Sequence, residues 1–201
     1  MLHVRLALIV EGHGDVHAAP VLVRRLAVES LGLPMPEILA VPHRLPKGKM
    51  ISGDGLERAV ELQANKVGRG GAILILLDAD RDCPKEVAAN LLSRARAKRP
   101  DRRIEVVLAK VEYENWFIAA IESLAGKYSV QRGLTAPPNP EAIRDAKGWI
   151  SARMSQPYKE TVDQKELTVL FDLALAASKS TSFAKLRRSV KALLSRRRKQ
   201  L

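Results

Sequence analysis

Two stretches decide the fold: VRLALIVEGHGD, residues 4–15, and AILILLDADRD, residues 72–82. Each begins as a short run of Val, Ile, Leu and Ala and stops abruptly at an acid. Runs of this length read as strands buried on both faces, the habit of a parallel sheet. Two more runs share the character: 37–41, entered past Pro34 and Pro36, and 104–111. Helical apolar spacing fills the intervals over 16–31, 55–67 and 85–98. Parallel neighbours need crossovers of a dozen or more residues, so this alternation predicts βαβ units with right-handed connections and an α/β class.

The stretch 42–55 is rich in Gly, Pro and Lys and is expected to be a mobile loop facing substrate. Pro137, Pro138 and Pro140 mark a boundary, beyond which 141–154, 164–177 and 183–194 show helical spacing. The predicted division is an α/β domain over 1–132 and an all-α extension over 133–201. Hydrophobic residues make up 46% of the chain and charged ones 28%, which suits a folded globular protein. No apolar run approaches the roughly 20 residues of a membrane span. Arg5 and Glu11 spoil the N-terminus as a signal peptide, and the single cysteine, Cys83, forms no internal disulfide, so the expected location is the cytoplasm. Cys83 is expected to pack.

Three of the four strand-like runs are followed at once by an acid: Glu11, Asp78 and Glu112. In a parallel sheet the carboxyl ends share one edge, so these distant residues converge where ligands of such sheets bind. Further acids crowd the same places, in EGHGD (Glu11, Asp15), DADRD (Asp78, Asp80, Asp82) and EYEN (Glu112, Glu114). Like charges held close raise one another's pKa, so such a cluster points to a cation. Oxygen donors suit a hard ion, and Mg²⁺ or Mn²⁺ is expected. Helix capping alone suits Asp15 and Asp82 but not Asp78 and Asp80 together. An EF-hand fails, because its sixth position is Cys83 and its twelfth Ala89. An aspartyl phosphotransferase with Asp78 as nucleophile leaves Glu11 without a use. His13 and His17 flank the first turn without ligand spacing, and Trp116 and Phe117 fall on a core-facing stripe with Ile121 and Leu124.

VEGHGD and LLDADRD resemble the two signature motifs of the Toprim domain, found in topoisomerases, bacterial primases, maturase-type ribonucleases and OLD-family nucleases. The chain also resembles an uncharacterised family of small Toprim-like proteins encoded beside ATPases, whose other markers are EYENWF and, at 182–186, SFAKL. The resemblance implies a Rossmannoid parallel sheet of about four strands flanked by helices. It makes Glu11 a general base or metal ligand, Asp78 and Asp80 metal ligands, Asp15 the counterpart of an acid that OLD-type enzymes add, and Glu114 an extra ligand. Lys159, in YKET, would stabilise charge on phosphate. Neither a topoisomerase tyrosine module nor a primase zinc module fits in 201 residues, so hydrolysis by water is expected.

The net charge of +12 suggests a polyanionic partner. No acid follows Asp172, while Arg187, Arg188, Arg196, Arg197 and Arg198 crowd the end, as a nucleic-acid contact or as a solvated terminus. The expected function is therefore a metal-dependent nuclease acting on nucleic acid, DNA ahead of RNA. It would work in defence or repair with a separate ATPase subunit, since the chain has no GxxxxGK[ST] loop. Homo-oligomerisation is left open. The alternative is a non-catalytic partner subunit that binds an ATPase or nucleic acid.

Overall fold

The computed structural model describes residues 4–195. Its sheet has five strands, all parallel: β1 Arg5–Val10, β2 Glu37–Ile38, β3 His43–Arg44, β4 Ala72–Asp78 and β5 Arg103–Ala109. The order is β2-β1-β4-β5, and β3 also lies on β1. β2 pairs with the start of β1 (Arg5 with Glu37) and β3 with its end (Val10 with Arg44), so the two form one interrupted edge. The break holds Pro42, which has no N–H to give a ladder.

Ten α-helices accompany the described sheet: α1 His13–Arg25, α2 Lys47–Ile51, α3 Gly55–Val67, α4 Pro84–Lys98, α5 Asn115–Ala119, α6 Ile121–Leu124, α7 Ala146–Ser151, α8 Glu160–Leu170, α9 Leu173–Lys179 and α10 Thr181–Leu194. Alternate strand residues face opposite ways. Ala7, Ile9, Ile73, Ile75 and Val106 pack under α3 and α4. Leu6, Leu8, Leu74, Leu76 and Val107 pack on the other side, against α1 and the helices of the C-terminal half. Among the described residues, no helix is long and apolar enough to cross a membrane.

The helices after residue 140 are anchored in that second core by aromatic rings. Trp116 and Phe117 are fully buried, as their spacing predicts. Phe183 stands edge-on to both Trp116 and Phe171, with ring centres 5.4 and 5.6 Å away. Ser182 locks the same joint: its hydroxyl accepts from Trp116 Nε1 at 2.9 Å and Lys110 N at 3.2 Å, and donates to Glu141 Oε1 at 2.6 Å.

The structure departs from the expected elements in several places: the strand expected over 37–41 stops at Ile38, and the helix expected over 16–31 starts at His13 and gives way at Leu26 to a π-helical turn, Leu26–Ser30. The loop expected over 42–55 contains β3 and α2. The helix expected over 141–154 reduces to a 3₁₀ turn, Pro140–Ala142, and α7, because Asp145 starts α7 afresh by accepting from Gly148 N. The helix expected over 164–177 divides where Phe171 drops into the core and Asp172 caps α9 through Leu175 N. Truncation of Phe183, the ring shared by this joint, is expected to cost about 3–5 kcal/mol. Urea unfolding of Phe183→Ala checks it, and a loss under 1 kcal/mol would mean that α10 is not part of the cooperative core.

Candidate functional site

The acids that follow β1, β4 and β5 meet at the carboxyl edge of the sheet. Glu11 Oε2 accepts from the backbone N–H of Asp78 at 3.1 Å, which ties the first turn to the end of β4. Beyond β4 the pairing continues, with Ala79 N donating to Ala109 O and Asp80 N to Val111 O, each at 2.9 Å. To keep it, Asp80 and Val111 adopt left-handed conformations, with φ of +51° and +67°. A β-branched residue there is strained, and such strain concentrates at functional sites.

The EGHGD turn is built for close approach by α8. Asp15 accepts from Gly12 N and from Gln164 Nε2, both at 2.9 Å, so both its oxygens are engaged. Glu160 accepts from Gly14 N at 3.2 Å and from Lys147 Nζ at 2.7 Å. A Cβ on Gly12 would lie 2.9 Å from Glu160 Oε1, and one on Gly14 2.8 Å from the Glu160 carbonyl oxygen. These glycines are therefore a packing requirement of the α1–α8 contact.

Glu114, from EYEN, is 1% exposed and accepts from Tyr158 OH at 2.8 Å, leaving Oε2 without a partner. Glu112 also carries a buried oxygen without a partner. Asn115 fixes this loop by accepting from Glu112 N and donating to the carbonyls of Pro140 and Ile143.

Burial pushes the Asp78 carboxyl well above the ordinary range, and Asp15, Glu114 and Glu11 push it further. Glu11 is raised by burial, with Asp80 and Asp15 adding to the shift and the Asp78 N–H and Lys47 opposing it. Burial lifts Glu114 to about 7 against the pull of Lys147 and Tyr158. Lys147 is held above its ordinary value although burial opposes its charge, because Glu114, Glu160 and Asp78 surround it. The arrangement is a nest of mutually repelling carboxylates, tempered by Lys147 and, on its outer side, by Lys47. As the side chains stand, no three His, Cys, Asp or Glu among the described residues form a group that could hold a metal ion.

A family model described as a domain of unknown function, DUF4276, matches residues 10–191. The chain belongs to this family. A search of the curated proteins and a search of the solved structures return no match. The span covered by the DUF4276 model includes every carboxylate of the nest, both lysines and α8.

Glu11, Asp15, Asp78, Asp80 and Glu114, the acids that the sequence singles out, lie together in this DUF4276 chain. Lys159, also singled out by the sequence, is exposed at the start of α8, and its backbone N–H donates to the Asp163 carboxylate. The lysine among the acids is Lys147, whose only sequence signal is its place at the start of a short helix. Asp82 pairs with Lys47 instead of capping α4, and Cys83 is exposed instead of packed. His13 and His17 are exposed. Arg187 donates to Ser30 and joins α10 to the π-helical turn Leu26–Ser30 that follows α1, Arg188 is exposed, and Arg196, Arg197 and Arg198 lie outside the described residues.

Two outcomes follow from this packing. Because its folded pKa of about 7 lies above the ordinary 4.5, Glu114 makes the folded protein the tighter proton binder. Its contribution is whole below the unfolded value and is lost as pH rises through the folded one, to the extent of roughly 3 kcal/mol. In Glu114→Gln that fall should disappear, as read by urea unfolding at about pH 5 and about pH 8. Gly14→Ala forces Glu160 and Gln164 away, so it should lower stability by roughly 1–3 kcal/mol through overpacking. An unchanged melting temperature would contradict the tight α1–α8 contact.

Proposed function

We propose that this chain is a divalent-cation-dependent phosphodiesterase acting on nucleic acid. The observation that carries the reading is the gathering of Glu11, Asp78 and Glu114 at the carboxyl edge, where burial raises each carboxyl and neighbouring acids raise it further. Evolution seldom retains a partly buried nest of like charges without a counter-charge that arrives from outside. The donor set fits a hard ion: carboxylate oxygens, with one on Glu112 and one on Glu114 still unpartnered. Glu11, Asp78, Asp80 and Glu114 would hold Mg²⁺ or Mn²⁺, with Asp15 keeping the turn in place. Bound there, the ion would polarise a phosphodiester and acidify a water molecule.

The chain's own groups have separable tasks. Glu11, which burial raises from its ordinary value, can accept a proton from an attacking water. Lys147 supplies a fixed positive charge against developing negative charge on phosphate, the task expected of Lys159. The overall charge of +12 favours a polyanionic substrate, and DNA is placed ahead of RNA. The likeness of the two motifs to Toprim nucleases, a separate ATPase partner and a role in defence or repair belong to the same proposal.

One observation favours the second reading, a non-catalytic partner subunit. Lys47 pairs with Asp80 and Lys147 with Glu160, so the chain's own ammonium groups offset part of the negative charge of the nest. The two readings separate on incubation with supercoiled plasmid and single-stranded RNA in Mg²⁺ or Mn²⁺. Wild type is expected to cleave, while Glu11→Gln and Asp80→Asn lose on the order of a hundredfold or more in rate. Cleavage that survives both substitutions sinks the enzyme reading, and nucleic-acid binding without cleavage supports the subunit.

A further inference from the structure

The DADRD loop already carries a cation of its own. Lys47 opens α2 directly after Pro46, and its ammonium donates to Ala79 O and Asp80 Oδ2, each at 2.8 Å, and lies 3.0 Å from Asp82 Oδ2. The lysine side chain is 12% exposed, against 55% for Asp80 and 49% for Asp82. An ordinary surface pair leaves the long lysine waving in water; here the ammonium is the shielded partner. Burial alone would lower its pKa, but its bonds to Asp80 and Asp82 outweigh that and leave it raised.

The backbone that delivers it is pinned on both sides. Leu45 N donates to Val10 O at 2.8 Å, which fixes the approach from β3. Arg94 of α4 donates to the carbonyls of Met50, Ile51 and Gly53, which fixes the exit from α2. Two carboxylate oxygens and a carbonyl gathered round one charge are the donors that a hard cation takes. The charge of Lys47 is also felt at Glu11.

We propose that Lys47 is a positioning residue that stands in the cation's place, holding Asp80 and Asp82 until a divalent ion enters and takes Asp80 from it. This rests on the cation-dependent reading above. Charge decides the exchange, since a dication brings twice the charge of the ammonium it replaces. The acid edge is thus kept folded without its ion, and the ion's affinity is set by competition with Lys47. The released ammonium stays on the same edge as an added positive charge for a phosphodiester.

Mn²⁺ titration of the full chain, followed by paramagnetic resonance, reads this affinity with no substrate present. Lys47→Met is expected to bind Mn²⁺ about three- to tenfold more tightly than wild type. Lys47→Arg, which keeps the charge, is expected to bind no more tightly than wild type. Melting curves establish that each variant is folded. The wild type gives a second readout that needs no neutral variant: the side-chain ammonium ¹⁵N signal of Lys47, identified by its loss in Lys47→Arg, should shift as Mg²⁺ is added. Equal or weaker Mn²⁺ binding by folded Lys47→Met, or Mg²⁺ saturation with that signal unmoved, overturns the proposal and leaves the cation site standing. Absence of Mn²⁺ binding in every protein overturns the cation reading itself, and this inference with it.

Discussion

Repulsion between carboxylates at the carboxyl edge is the constraint to which the rest of the molecule answers. A parallel sheet brings the ends of β1, β4 and β5 together whatever residues stand there, and here they carry Glu11, Asp78 and Glu112. Water would screen such a group, but burial removes the water and raises each carboxyl. The fold answers with hydrogen bonds to the charged forms and with ammonium groups brought from elsewhere in the chain. Asp78 N–H on Glu11, Gly12 N–H on Asp15 and Tyr158 OH on Glu114 are such answers.

Several of these answers come from the C-terminal half. Lys147, Tyr158, Glu160 and Gln164 all lie beyond the proline-rich boundary, and each bonds the acid edge or another member of that group. The same half closes one face of the sheet through Phe171, Phe183 and Leu186. Packing and electrostatics are therefore joined: α8 lies along α1 and reaches the first turn, where the glycines at 12 and 14 make room for it.

The α/β class, β1, β4, α3 and the convergence of the acids were legible in the sequence, because each depends on local pattern plus the geometry common to parallel sheets. α3 spans the expected residues 55–67 without change. What local pattern hid were partnerships across long separations. Lys147 meets Glu160 across the connection from α7 to α8, and Lys47 reaches Asp80 from a segment whose Gly and Pro content reads as loop. Short elements were illegible for a related reason: β3 has two residues and α2 five, too few to show a period. Lys159 illustrates the converse, since a lysine in the right neighbourhood of the sequence faces solvent once its helix is turned.

The interrupted edge of the sheet has one more effect. An unbroken edge strand offers a ladder of free N–H and C=O groups to any extended chain that passes, including another copy of itself. Here that margin is cut into two dipeptides, with Val41, 73% exposed, and Pro42 between them. Neither piece is long enough to template a sixth strand. The fold thus protects itself from growing into aggregates along this margin.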